Sequence, residues 1–177
     1  MNYSECIENA RTRIGNYCKA CPECNGRACK NQMPGPGAKG IGDTAIRNYD
    51  KWKEIRVQMD TIVENKPVDT SLELFGKKFL YPFFAGPVGA VGLHYGDCLD
   101  DVRYNDILVS ACAKYGIAAF TGDGLDSNVM VAATKAIGKT DGIGIPTVKP
   151  WNIDTVAEKM KMVQESKAFA VAMDVDA

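Results

Sequence analysis

Four segments of one design limit what this chain can fold into. In the first, residues 81–90 (YPFFAGPVGA), an apolar run at Phe83, Phe84 and Ala85 ends in Gly86-Pro87-Val88-Gly89. That pattern reads as a buried strand whose C-terminal end opens into a loop where backbone can approach a ligand closely. The segments IAAFTGDG (117–124), IGIPTVKP (143–150) and FAVAMDVD (169–176) repeat it, with helical patterns between them. The pattern predicts an α/β chain holding the first half, about four β/α units, of a (β/α)8 barrel.

A complete barrel needs about 250 residues, and the chain has 177. The expectation is therefore a half barrel, catalytically incomplete alone: a fragment, a truncated product or one part of a split enzyme. Strand edges at the first and fourth strands would then favour pairing with a second barrel half or with another copy of the chain. The organisation expected is a cysteine-rich segment at 1–42, a helix and hairpin at 43–81, and the half barrel at 82–177.

Within that plan, residues 3–14 read as a short helix. A second helix begins after Asp43, a candidate cap, and carries Ile46, Tyr49, Trp52, Ile55, Met59 and Ile62 at helical spacing. Residues 72–84 read as a hairpin turning at Gly76-Lys77-Lys78, of the kind that plugs the N-terminal mouth of a barrel. The first barrel helix would bury Ile107, Leu108, Ala111, Cys112 and Tyr115. The second spans 127–137 and stops at Gly138. The third would bury Ile153, Val156, Ala157, Met160 and Val163.

Ligands of such folds sit at the C-terminal ends of strands. Here those ends are Gly86-Pro87-Val88-Gly89, Thr121-Gly122-Asp123-Gly124, Val148-Lys149-Pro150 and Asp174-Val175-Asp176. Glycines end strands in any case, but they or polar residues recur at all four ends. Lys149 can meet an anionic or electron-rich cofactor edge, or be a solvated lysine at a strand exit. Asp174 follows an apolar run and needs a partner there: a group it orients, or a structural cation. His94, the single histidine, lies in a Gly-rich loop, where solvation is the ordinary role and acid–base work the rarer one. No Ser/His/Asp or Cys/His set, no G-x-G-x-x-G after a strand and no Walker A loop is present.

A net charge of −1 without basic blocks argues against nucleic acid and anionic membranes as partners. No apolar run reaches the roughly 18–20 residues of a membrane span. Residues 1–17 carry Glu5 and Glu8 and do not read as a signal peptide. The cytosol is the default compartment, and there seven cysteines point to metal or cluster binding rather than disulfides. Cys18, Cys21, Cys24 and Cys29 follow a C-x2-C-x2-C-x4-C spacing. Its start matches a ferredoxin run for a 4Fe–4S cluster, although the last cysteine comes one residue late. Two overlapping C-x2-C knuckles equally allow tetrahedral zinc. Cys6 is a spare ligand, and Cys98 and Cys112 read as packing residues.

From PGAKGIGDTAIRNYDKWKEIRV through the hairpin to YPFFAGPVGA, the sequence resembles the FMN-dependent α-hydroxy-acid oxidising family of glycolate and lactate oxidases, which is related to type 2 isopentenyl diphosphate isomerase. The residues that carry the likeness are Gly37, Ala38, Asn48, Trp52 and Arg56, and it extends over about 34–177. The cysteine-rich start lies outside it and suggests a bacterial, anaerobic subgroup. The resemblance implies a (β/α)8 barrel with FMN across its C-terminal mouth. Main chain at Pro87, Val88 and Gly89 would lie against the flavin edge, and Thr121 and Gly122 would line it. Lys149 stands where the family offers glutamine and tyrosine. Asp174 would keep the carboxylate that orients the catalytic histidine. Ala172 stands in place of a threonine, and Met33 stands near the family's substrate-binding tyrosine. The family's base, its substrate-gripping arginines and its phosphate site belong to later strands. The implied function is an FMN-dependent oxidoreductase acting on a small α-hydroxy-acid-like substrate. The alternatives are a flavin-dependent isomerase or reductase on the same barrel, or a non-catalytic metal-binding or electron-carrier fragment.

Overall fold

The structure is a computed structural model that describes residues 2–30 and 43–175. The elements are α1 (Tyr3–Arg11), α2 (Thr44–Trp52), β1 (Leu72–Leu74), β2 (Lys77–Phe79), α3 (Val91–Tyr95), α4 (Asp101–Lys114), β3 (Phe120–Thr121), α5 (Ser127–Lys139), β4 (Ile145–Val148), α6 (Ile153–Glu165) and β5 (Ala172–Met173). They fall into two compact units, Met1–Pro67 with Gly92–Cys98, and Val68–Val91 with Leu99–Ala177. The expected roles of Met33, Gly37, Ala38 and Asp176 lie outside the described residues.

In the larger unit, β3, β4 and β5 form a parallel sheet in chain order, with Phe120 opposite Ile145 and Thr147 opposite Ala172. Ala85 extends it through a parallel bridge to Ala119. The four predicted strand segments thus lie side by side with α4, α5 and α6 between them. Among the described residues the sheet is open and no barrel closes.

The helices start where their sequences can cap them. Asp100, Asp126 and Asn152 each accept a backbone N–H of the first turn, from Arg103, Asn128 and Thr155. One core cluster joins Val109 and Cys112 of α4 to Ala136 and Ile137 of α5 over Ala119. A second joins Met130 of α5, Val148 of β4 and Val163 of α6. Alanines at 118 and 119, fully buried, keep the strand thin where these helices cover it.

Several expectations need correction. The first strand is not buried: Phe83 is 60% exposed, because the sheet pairs it on one side only among the described residues. The hairpin turns at Phe75-Gly76, both at positive φ, between Leu74 and Lys77, a two-residue turn that matches strand twist. Phe79 of β2 then packs on Phe84 and Phe169, which precede the first and fourth strand ends. On α4 the inward face is Asn105, Val109 and Cys112, while Ile107 and Tyr115 are exposed. Helix α5 runs through Gly138 to Lys139. On α6 the buried residues are Lys159 and Val163, and Ile153 is exposed.

In the smaller unit, α1 ends at Arg11 and opens with a capping box between Asn2 and Glu5. Asp43 precedes α2 without making a side-chain cap bond. α2 ends at Trp52, so the expected helix is cut short, and Ile55, Met59 and Ile62 are exposed. An amphipathic stripe holds a helix only when something covers it.

Candidate functional site

The larger unit brings its strand ends to one place through close backbone crossings and one buried carboxylate. A Cβ on Gly122 would come within 2.4 Å of Gly89 N and Val88 C, and one on Gly89 within 2.9 Å of Asp123 O. Only glycine permits the loop after the first strand to cross the end of the second this closely. The third end joins through Lys149 N, which donates to Asp123 Oδ2 at 2.9 Å. The fourth joins through Asp174 N, which donates to Val148 O at 2.9 Å.

Asp123 is the anchor of this arrangement. Its side chain is fully buried. It accepts from Trp151 Nε1 at 2.7 Å and from Gly124 N at 2.9 Å, and forms an ion pair with Lys159. The Lys159 ammonium also lies 5.3 Å from the Trp151 ring centroid. Burial alone would raise this carboxyl. The N–H of Lys149, the Lys159 ammonium, the Trp151 indole and the N–H of Gly124 outweigh it and hold the group below the usual carboxylate range. The network was not foreseen from sequence. Its signals were an aspartate between two glycines at a strand end and a lysine on the apolar stripe of α6.

Lys149 and Asp174, singled out separately from sequence, form an ion pair, Nζ to Oδ2 at 2.8 Å, with each side chain about one-third exposed. Asp174 thus has its partner: an ammonium at the neighbouring strand end.

Beside these ends lies a cleft of about 500 Å³. Its walls include Phe83, Phe84, Pro87, Phe120, Thr147 and Asp174. Pro87 and Asp174 therefore face the cleft. Register places Thr121 opposite Pro146, on the same side of the sheet as Val148, whose side chain packs under α5 and α6. Val88, Gly89 and Gly122 contribute the backbone crossing. Thr147, on the cleft side, is 4% exposed, and its Oγ1 has no hydrogen-bond partner. Leaving such a hydroxyl unpaired costs about 1–3 kcal/mol.

The sequence from residue 35 to residue 177 matches the family model of FMN-dependent dehydrogenases. The chain belongs to the FMN-dependent dehydrogenase family. FMN-dependent oxidoreduction is accordingly its chemistry, and the parallel strands with their helices are the part of it that the family match covers. No curated protein matches the chain. Among the described residues, no helix is long and apolar enough to cross a membrane.

In the smaller unit, His94 lies in the short helix α3. All seven cysteines are outside disulfides. No three histidine, cysteine or carboxylate side chains among the described residues are gathered closely enough to hold a metal ion. The phenol of Tyr95 is raised by its burial and then by the charges of Cys18, Cys24 and Cys29.

Proposed function

We propose that the cleft beside the strand ends holds the isoalloxazine ring of FMN and that the protein oxidises a small α-hydroxy-acid-like substrate there. The observation that carries this reading is Thr147, which lines a cleft with aromatic walls and whose hydroxyl is buried and unpartnered. A planar ring edged with hydrogen-bonding atoms would satisfy it. The cleft volume lies within the roughly 300–1,000 Å³ common for small-molecule sites. Phe84 and Phe120 supply apolar surface, and Pro87, Val88 and Gly89 bring main chain to the edge of the ring. Gly122 permits that crossing, while Thr121 stands on the helix-covered face of the sheet. The residues present fit the cofactor. When bound, FMN supplies the two-electron acceptor.

The chain's own contribution is to position groups. Lys149 brings positive charge to the cleft mouth, suited to an electron-rich ring edge or a substrate carboxylate. Asp174 holds that ammonium in place and, in this reading, orients a proton-accepting group with its other oxygen. The test is an FMN titration of the full chain, followed by anaerobic addition of glycolate or lactate. The expected result is saturable FMN binding by this chain, and bleaching of the flavin bands by the hydroxy acid once a barrel half carrying the later strands, with the family's base and arginines, is supplied. Binding without bleaching in that complemented protein would remove the substrate class and leave the cofactor site. Thr147→Val should weaken FMN binding about 5- to 10-fold, the worth of one hydrogen bond, without lowering stability. Unchanged affinity would show that Thr147 does not meet the ring.

A further inference from the structure

The segment holding Cys18, Cys21, Cys24 and Cys29 lies before the family match, which begins at residue 35. Residues 18–30 contain neither helix nor strand, and Ala20 is their one buried residue. Ordering backbone costs roughly 1–2 kcal/mol per residue, far more than one buried methyl returns at about 0.8 kcal/mol.

Yet the segment is tied down along its length. Tyr3 Oη donates to Pro22 O at 2.7 Å, and Arg11 Nε donates to Ala20 O at 3.3 Å. Glu23 accepts from Tyr49, and Arg27 pairs with Asp50 at 3.3 Å. Gly26, at φ +73°, sits so close to α2 that a Cβ would lie 2.8 Å from Ala45 Cβ. These contacts are mostly exposed, and exposed pairs contribute about 0–1 kcal/mol each. They choose a conformation without supplying the energy to hold it, and no disulfide supplies it either.

The Ala20 N–H points to Cys18 Sγ at 3.5 Å, and Ala20 takes a left-handed φ of 43° that turns the chain between Cys18 and Cys21. Cys18, Cys21 and Cys29 are each half-buried, Cys24 is exposed, and none of the four is in a disulfide. We propose that Cys18, Cys21, Cys24 and Cys29 together bind one thiolate-held metal centre, a single zinc ion or a 4Fe–4S cluster, and that metal binding orders this segment. The thiols draw inward on binding, and the metal supplies the missing free energy. The site stands independently of the flavin reading.

The test is metal and sulfide analysis of the full chain, purified anaerobically and then reconstituted with zinc or with iron and sulfide. About one zinc per chain, or about four iron with four labile sulfide, supports the site and identifies its occupant. Loss of that metal in a variant with all four cysteines changed to serine, and its retention in Cys6→Ser and Cys98→Ser, assigns the ligands. Thiol alkylation with peptide mapping on the unmutated chain guards against a misfolded variant. Metal should shield the four cysteines and leave exposed Cys6 and Cys98 reactive. A chain that stays metal-free after reconstitution overturns the proposal. So does metal that persists in the fourfold variant, or equal alkylation of all six cysteines with metal present.

Discussion

In the larger unit, order follows burial. Val109, Ala119, Met130 and Ile137 are fully covered, and a buried ion pair there, Asp123 with Lys159, is wrapped in further hydrogen bonds. In the smaller unit, Ala20 alone is buried among the described residues. Its contacts are carbonyls, carboxylates and phenols at the surface. The same chain thus uses two methods. One is a core that holds itself, with a polar anchor placed where strand ends must meet. The other is a polar scaffold that fixes a shape but cannot alone outweigh its conformational entropy.

The largest effect expected from breaking this contrast is at Asp123. Asp123→Ala leaves the Lys159 ammonium buried without its partner, and removing one member of such a pair costs about 3–5 kcal/mol. Urea unfolding would read this as a large fall in midpoint at unchanged slope. Lys159→Met in the same chain should recover much of the loss, because the unpaired charge is then gone. If the single variant costs as little as an exposed pair, Asp123 is not the anchor.

A smaller effect of the same origin appears with pH. The Asp123 carboxyl is held below its usual range in the folded state. Its contribution is fully present above the unfolded value of about 3.9 and is lost as pH falls through the lower folded value. Stability should therefore drop on acidification below about pH 4, and more steeply in the wild type than in Asp123→Asn, which has no proton to take up. Parallel slopes for the two proteins would assign the acid loss to other carboxylates.

How much was legible in the sequence follows the same division. β4 was plain, because Ile145 to Val148 is a short run without charge, apolar except for Thr147 and buried on both faces. The strand ends, with Pro87 and Asp174 on one cleft, were legible because glycines and polar residues interrupt apolar runs at fixed places. Asp123 and Lys159 were not, since their pairing spans 36 positions and nothing local distinguishes a buried lysine from a solvated one. The helix expected through Ile62 failed for a related reason. Periodicity shows which face could be buried, while only the tertiary structure decides whether anything covers it. The cysteine spacing was legible, but among the described residues no three such side chains are gathered closely enough to hold a metal ion, because spacing along the chain does not fix where thiols point.

The smallest expected effect lies at Ala20, the one buried residue of the smaller unit among the described residues. Ala20→Gly removes a covered methyl, a loss of about 0.8 kcal/mol. It also frees a position held at φ 43°, where a left-handed conformation costs an L-residue roughly 1–2 kcal/mol. Glycine loses more backbone entropy on folding, about 0.5–1 kcal/mol. The terms nearly cancel, so the variant should unfold within about 0.5 kcal/mol of wild type. An alanine of the other region offers the contrast. Ala119 is fully buried in the core cluster under α4 and α5, with no strained φ to relieve. Ala119→Gly should therefore cost the methyl and the entropy together, about 1–2 kcal/mol. Equal costs at the two sites would mean that Ala20 too is held by packing, and that the smaller unit has more of a core than its exposed side chains suggest.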